Sequence, residues 1–148
     1  MSSFRWRNVP IPEGHILFLV VGVAIHMRFP RSLFRGRWPK HGFGWPLLLS
    51  GICLAVWAVL AVRDRDISQP TEVIDSGSYR FSRNPMYVGW TLIYLGAAAL
   101  VNTWWLLILL PVLVAFTHYF VIRREEQQLE ARFGEAYRQY RNRVRRYF

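Results

Sequence analysis

At 148 residues the chain has room for one domain and not for two ordinary ones. It is 53% apolar yet carries a formal charge of +10, and the two are segregated, with apolar residues in long blocks and charges between them. That segregation excludes a soluble core patterned at helical or strand spacing, and a single cysteine excludes an intramolecular disulfide.

Arg5 and Arg7 precede the first apolar block, 16–27, which extends to about 12–29. This opening has the charge pattern of a secretory leader. It ends in His26-Met27-Arg28-Phe29-Pro30 with no small-residue cleavage site, so it reads as an uncleaved first helix. The second block, 43–62, holds Pro46, expected in the first turn where a missing N–H does little harm, and Cys53, expected as a free buried thiol. The third block is 86–101 and the fourth 104–122. A helix of roughly 19 residues covers roughly 28 Å against about 30 Å of hydrocarbon. The second and fourth blocks therefore span unaided, while the first and third need tilt or local thinning. Pro111 should kink the fourth and free the carbonyl of Leu107.

Asn102 and Thr103 alone separate the third and fourth blocks, which predicts a tight helical hairpin with the 63–85 loop and the tail from Arg123 on one face. With Arg5 and Arg7, that face holds all the Lys and Arg except the five between Arg28 and Lys40. The positive-inside rule then places both termini in the cytoplasm. Trp104 and Trp105 suit an aromatic belt at the opposite interface.

The loop ends in Arg83-Asn84-Pro85. Asn84 is a good N-cap and Pro85 a preferred first helical residue, so the third helix starts here. Its free N–H groups, with Arg83 beside them, suit a carboxylate or phosphate; a merely capped helix with a snorkelling arginine explains the same residues. Beyond Ile122, Glu125 and Glu126 lie within about one turn of the membrane boundary, where carboxylates usually find partners. Gly134 is a plausible helix stop. The arginine-rich, aromatic stretch 137–148 reads as a helix lying on the lipid surface. His118 and Tyr119 are polar groups inside the fourth block, and His118 is a site candidate or a satisfied packing residue. The other histidines, His15, His26 and His41, show no metal-ligand spacing, so no metal is assigned.

Two stretches of this chain, in this order and separated by one hydrophobic hairpin, carry a resemblance. The first is Gly77-x-Tyr79-x-x-x-Arg83-Asn84-Pro85-x-Tyr87-x-Gly89. The second is Glu125-Glu126-x-x-Leu129-x-x-x-Phe133-Gly134-x-x-Tyr137-x-x-Tyr140. Together they resemble the isoprenylcysteine carboxyl methyltransferase family and its wider group, which includes phospholipid N-methyltransferases. The resemblance covers 76–144. It implies an all-α, polytopic transmembrane bundle of about four spans with a C-terminal cytoplasmic helical tail, forming one domain over 1–148. It also implies an S-adenosylmethionine-dependent methyltransferase in the membrane, such as a bacterial inner membrane. On this implication Tyr79, Arg83, Asn84, Tyr87 and Gly89 form one wall of the cofactor site. His118, Glu125 and Glu126 form another, and Tyr137 closes the tail over it. Arg83 neutralises a carboxylate, Glu125 or Glu126 holds the cofactor's amino group or ribose, and Arg132 anchors substrate. The carboxyl methyltransferases usually carry His where this chain has Asn84, which leaves the acceptor open among a carboxylate, an amine and a thiol.

The partners expected are membrane lipids and a lipophilic or small-molecule acceptor, with no nucleic acid. An NADPH-dependent sterol-reductase-like enzyme shares an Arg-x-Pro-x-Tyr-type motif but is much longer. A non-enzymatic membrane protein keeping the fold is the remaining alternative.

Overall fold

The computed structural model describes residues 12–63 and 71–148. Arg5, Arg7 and Arg65, which enter the expected orientation, lie outside them. The described residues contain helices and no strand. They run α1 (Glu13–Arg28), α2 (Arg37–Val62), a short 3-10 turn (Gly77–Arg80), α3 (Pro85–Val101) and α4 (Trp104–Phe116). A π turn (Thr117–Ile122) then leads into α5 (Arg123–Phe133) and α6 (Glu135–Arg143).

The second helix starts at Arg37, ahead of its apolar block, because Gly36 is extended and Pro39 occupies the first turn. Arg37, Lys40 and His41 continue the backbone ladder without needing to be apolar. Pro46 is therefore inside the helix and not in its first turn, and it removes the N–H that would meet the carbonyl of Gly42. The fourth apolar block runs on through the π turn into α5 as one 30-residue helix, Trp104–Phe133. It leaves α geometry at Thr117–Ile122, beyond Pro111. A π turn admits an extra residue per turn, which rotates everything beyond it, including Glu125 and Glu126.

Arg37–Val62 and Trp104–Phe133 are long and apolar enough to cross a membrane, and α3 is a shorter apolar helix. Their large side chains face outward: Leu49, Ile52, Val56 and Trp57 on α2, and Ile108, Val112 and Val114 on α4. Cys53 is also exposed on this outer surface and is not buried. The inner faces carry small residues instead. A Cβ on Gly51 would stand 2.7 Å from the Gly89 carbonyl oxygen and 2.7 Å from the Ile93 nitrogen. One on Gly96 would stand 2.6 Å from the Leu48 nitrogen. A Cβ on Gly44 would stand 2.6 Å from Leu100 Cγ, a side-chain contact. The pairing runs antiparallel, with glycines seven apart on each helix, and brings the two backbones into contact as membrane helices commonly do.

Asn102 makes the hairpin turn in the left-handed conformation (φ 60°). Its side chain accepts from Phe34 N (2.7 Å) and donates to Phe34 O (3.0 Å), tying the 29–36 segment to the turn. Tyr94 is buried and donates to the Leu106 carbonyl (3.0 Å), which locks α3 to α4. Helix α1 packs on α4, with Gly14 against Phe116 and Gly22 against Leu106. The 77–84 loop, the start of α3 and the π turn thus share one end of the bundle, where α5 and α6 also lie.

Candidate functional site

The loop is seated before α3 begins. Gly77 takes a positive φ of 60° and packs on Ala61 of α2, while Phe81 lies 5.9 Å from the Trp57 ring. Pro85 is the first residue of α3, as the Asn84-Pro85 pair predicts. The Asn84 side chain does not cap the helix, however. Ser82 Oγ accepts from Asn84 N (3.1 Å), and Asn84 Nδ2 turns to the carbonyl of Arg146 in the tail (3.2 Å). That carbonyl also accepts from Ser82 Oγ (3.2 Å). The Asn84 side chain thus ties the tail's backbone to the start of α3 through its Nδ2 donor, and its oxygen makes no cap bond to the helix.

Arg83 and Glu126 meet here, from opposite ends of the hairpin. Arg83 Nη1 lies 3.2 Å from Glu126 Oε1, with side chains only 9% and 13% exposed. Yet Arg83 Nε and Nη1 have no hydrogen-bond partner, so the pair is held by charge and not by a directed bond. Glu126 instead accepts two directed bonds from Arg146, from Nε (3.1 Å) and Nη2 (2.8 Å). The buried guanidinium of Arg83 therefore keeps unused donors beside a carboxylate already occupied from its other side. Tyr137 is fully buried against Arg83. Tyr87 donates to Glu125 Oε1 (2.8 Å), joining the first turn of α3 to α5. His118, in the π turn, lies 2.7 Å from the Tyr147 hydroxyl through Nδ1.

The tail buries one face against the protein. After Gly134, whose φ of 52° ends α5, helix α6 buries Tyr137, Tyr140 and Val144 against Val73, Leu129 and Phe133. Tyr140 donates to the Tyr79 carbonyl (2.8 Å), Arg83 N donates to the Arg145 carbonyl (2.9 Å), and Arg143 pairs with Asp75 (3.5 Å). Burial first, then the Glu125 carboxylate, pushes the Tyr79 phenol up to about 12. Burial also raises Tyr140 well above the ordinary range. The folded form thus keeps these protons above pH 10, where a released tail surrenders them, so docking is intact below about pH 10 and weakens as pH rises through 12. Hydrogen exchange of 79–84 and 137–148 should accelerate over that window and stay flat from pH 6 to 9 once the intrinsic rate is divided out.

The structure gathers Tyr79, Arg83, Asn84, Tyr87, Glu125, Glu126 and Tyr137 at this junction, with His118 tied to it through Tyr147. Gly89, one turn into α3, is buried against Gly51 and Ala55 of α2. Arg132 is exposed with its guanidinium over the neighbouring Phe133 ring (5.9 Å), away from Arg83 and Glu126. Arg146 and Ser82 are additions. Nothing in the spacing of the tail distinguishes Arg146 from Arg138, Arg141, Arg143 or Arg145. The three-residue spacing of Tyr137 and Tyr140 is the one cue that the tail buries a face.

Searches of curated proteins and of solved structures each returned no match. The family profile described as phospholipid methyltransferase matches residues 39–136, about two thirds of the chain, from the start of α2 to the first turn of α6. That span holds the glycine-packed pair α2–α3, the hairpin and both Arg83 and Glu126, and the chain belongs to this family of integral membrane methyltransferases.

Proposed function

We propose that the chain is an S-adenosylmethionine-dependent methyltransferase whose donor site is the junction of the 77–84 loop, α3, α5 and the folded-back tail. The observation that carries this is Arg83. This buried guanidinium has only a charge contact with Glu126, which Arg146 also holds, and its Nε and Nη1 lack hydrogen-bond partners, so it keeps donors that a second anion would satisfy. The carboxylate of a bound amino acid supplies that anion, with the fork geometry that suits guanidinium. Glu126 offers the opposite charge for the amino group, and Arg146 holds that carboxylate in place. Tyr87 and Glu125 form a second polar pair beside it. The residues present therefore fit this cofactor, which supplies a methyl group on a sulfonium, its bond ready to leave with the electron pair on sulfur. The chain's own task is to exclude water and orient the acceptor in line.

The acceptor on this reading is a lipid or a small molecule that reaches the site from the membrane, as the family description suggests. Four spans, cytoplasmic termini and a bacterial inner membrane complete the proposal, with the charge distribution described above supporting the orientation. The NADPH-reductase reading has no comparable support here.

Binding of S-adenosylhomocysteine to the purified protein in detergent tests the donor site, and NADPH serves as the competitor. The Arg146→Gln variant should keep the tail docked through the Arg146 carbonyl while Glu126 loses its directed partners. Because Arg146 is 35% exposed and screened, the expected result is a several-fold weakening of donor binding and not its loss.

A further inference from the structure

The end of the bundle away from the donor site carries Arg28, Arg31, Arg35, Arg37 and Lys40. None of these five cations forms an ion pair among the described residues. The sequence gives the reason. Its nine acidic residues are Glu13, four within 64–75 and four within 125–135. These stretches adjoin the start of α1, the end of α2 and α5, all at the opposite end. No carboxylate side chain occurs in 14–63 or 76–124, nor in 1–11.

The backbone that bears these cations is fastened to the hairpin. Trp104 N donates to the Arg31 carbonyl (3.1 Å), and Trp105 Nε1 donates to the Phe29 carbonyl (2.6 Å). Beside those bonds lies a recess of about 500 Å³, lined by Arg28, Phe29, Pro30, Arg31 and Trp105. A second recess of about 390 Å³ is lined by Arg37, Trp38, His41 and Gly42. Each sets a guanidinium beside an indole, and the Arg28 guanidinium also lies over the Phe29 ring (4.9 Å). One and two turns along α4 from Trp105, Ile108 and Val112 face outward. Cation, indole and aliphatic surface thus follow one another as phosphate, glycerol backbone and acyl chain do in a phospholipid.

We infer that this face binds anionic phospholipid, with a phosphate between Arg28 and Arg31 and an acyl chain along Ile108 and Val112. The chemistry selects a glycerol-type head. Choline and ethanolamine heads carry an ammonium beside the phosphate, and this face offers no carboxylate to receive it. A glycerol head adds only hydroxyls, so its net charge stays negative and the lipid supplies the counter-charge that the sequence withholds here. Each Lys or Arg at an anionic membrane surface strengthens such binding by about fivefold. The donor site lies at the other end of the bundle, so this contact acts on which lipids the protein keeps around it and not on the donor.

The test uses the full chain labelled with 5-fluorotryptophan in a nonionic detergent, the Trp105 fluorine resonance being assigned by its loss in Trp105→Phe. Glycerol-headed phospholipid should shift that resonance at low lipid fraction. Choline-headed phospholipid and free glycerol 3-phosphate at the same concentration should leave it in place. Arg28→Gln with Arg31→Gln should raise the lipid needed for half the shift by roughly thirtyfold, about fivefold for each guanidinium removed. Arg123→Gln with Arg124→Gln, the same charge loss at the other end of the bundle, should leave the midpoint within about twofold. A Trp105 resonance indifferent to glycerol-headed lipid, or equally responsive to the choline head, would overturn the inference. So would a response to glycerol 3-phosphate, which would mark a site for soluble anions, or equal losses in the two double variants, which would mark net charge alone. The head-group comparison is read on the unsubstituted chain, so it decides the question even where Arg28→Gln with Arg31→Gln does not fold. Binding of S-adenosylhomocysteine should be the same in all these chains, and its absence would count against the donor site and leave this face untouched.

Discussion

Replacing Arg83 by alanine is expected to weaken binding of S-adenosylhomocysteine by about 10- to 100-fold, read by isothermal calorimetry in detergent. The size follows from the bond type. A hydrogen bond between charged groups in a site of this burial contributes about 1.5–3 kcal/mol, and about 1.4 kcal/mol is tenfold in affinity. Arg83→Lys should recover little of it, because an ammonium cannot reproduce the planar fork. The fold should survive either change. Glu126 stays paired with Arg146 through two directed bonds, and the main-chain bond from Arg83 N to the Arg145 carbonyl does not depend on the side chain. Glu126→Ala is a poorer probe, since it strands two guanidiniums at once. Removing one partner of a buried pair costs about 3–5 kcal/mol of stability, somewhat less here because Arg146 is partly solvated. An unchanged affinity in Arg83→Ala would dissociate this guanidinium from the donor.

Gly51→Ala is the change with the largest expected effect on stability. The added Cβ meets backbone atoms of α3, the Gly89 oxygen and the Ile93 nitrogen, and no rotamer change relieves that contact. The two helices must move apart, which in a well-packed core costs about 1–3 kcal/mol. Gly42→Ala on the same helix meets nothing within 4 Å. It should be neutral or stabilising by about 0.5–1 kcal/mol, the ordinary advantage of alanine over glycine in a helix. Thermal unfolding in one detergent, followed for the pair, isolates packing from propensity. Equal melting temperatures for the two variants would mean that the α2–α3 contact does not depend on glycine.

The difference between those two glycines is invisible in the sequence, which shows only that both sit in an apolar segment. Features set by neighbouring residues were legible. Asn84-Pro85 marks the start of α3, and Asn102-Thr103 forces a hairpin because two residues permit no other connection. Gly134 ends α5 where only a residue tolerant of positive φ stops a helix cheaply. The start of α2 was missed by six residues, since a backbone ladder continues through Arg37 and Lys40 as readily as through leucine. The π turn was missed because a block of uniform hydrophobicity has no periodicity from which a change of register can be read. Gly89 belongs to a motif and still packs against Gly51, a contact 38 residues away in the chain. Arg146 is the clearest omission. Its part comes from a contact 20 residues back, on Glu126, and from a carbonyl that two loop side chains reach. Arginines in an arginine-rich tail look alike until the chain folds back.

The central claim is that this junction binds a sulfonium methyl donor. The most direct measurement is the thermal unfolding of the purified full-length chain with S-adenosylmethionine, S-adenosylhomocysteine or NADPH added in turn. A ligand that binds only the folded state at about 100 times its dissociation constant stabilises it by about 2.7 kcal/mol, several degrees in a chain of this size. Both adenosyl compounds should raise the transition, the rise should disappear in Arg83→Ala, and NADPH should be inert. Stabilisation by NADPH alone, or by neither class, would contradict that claim.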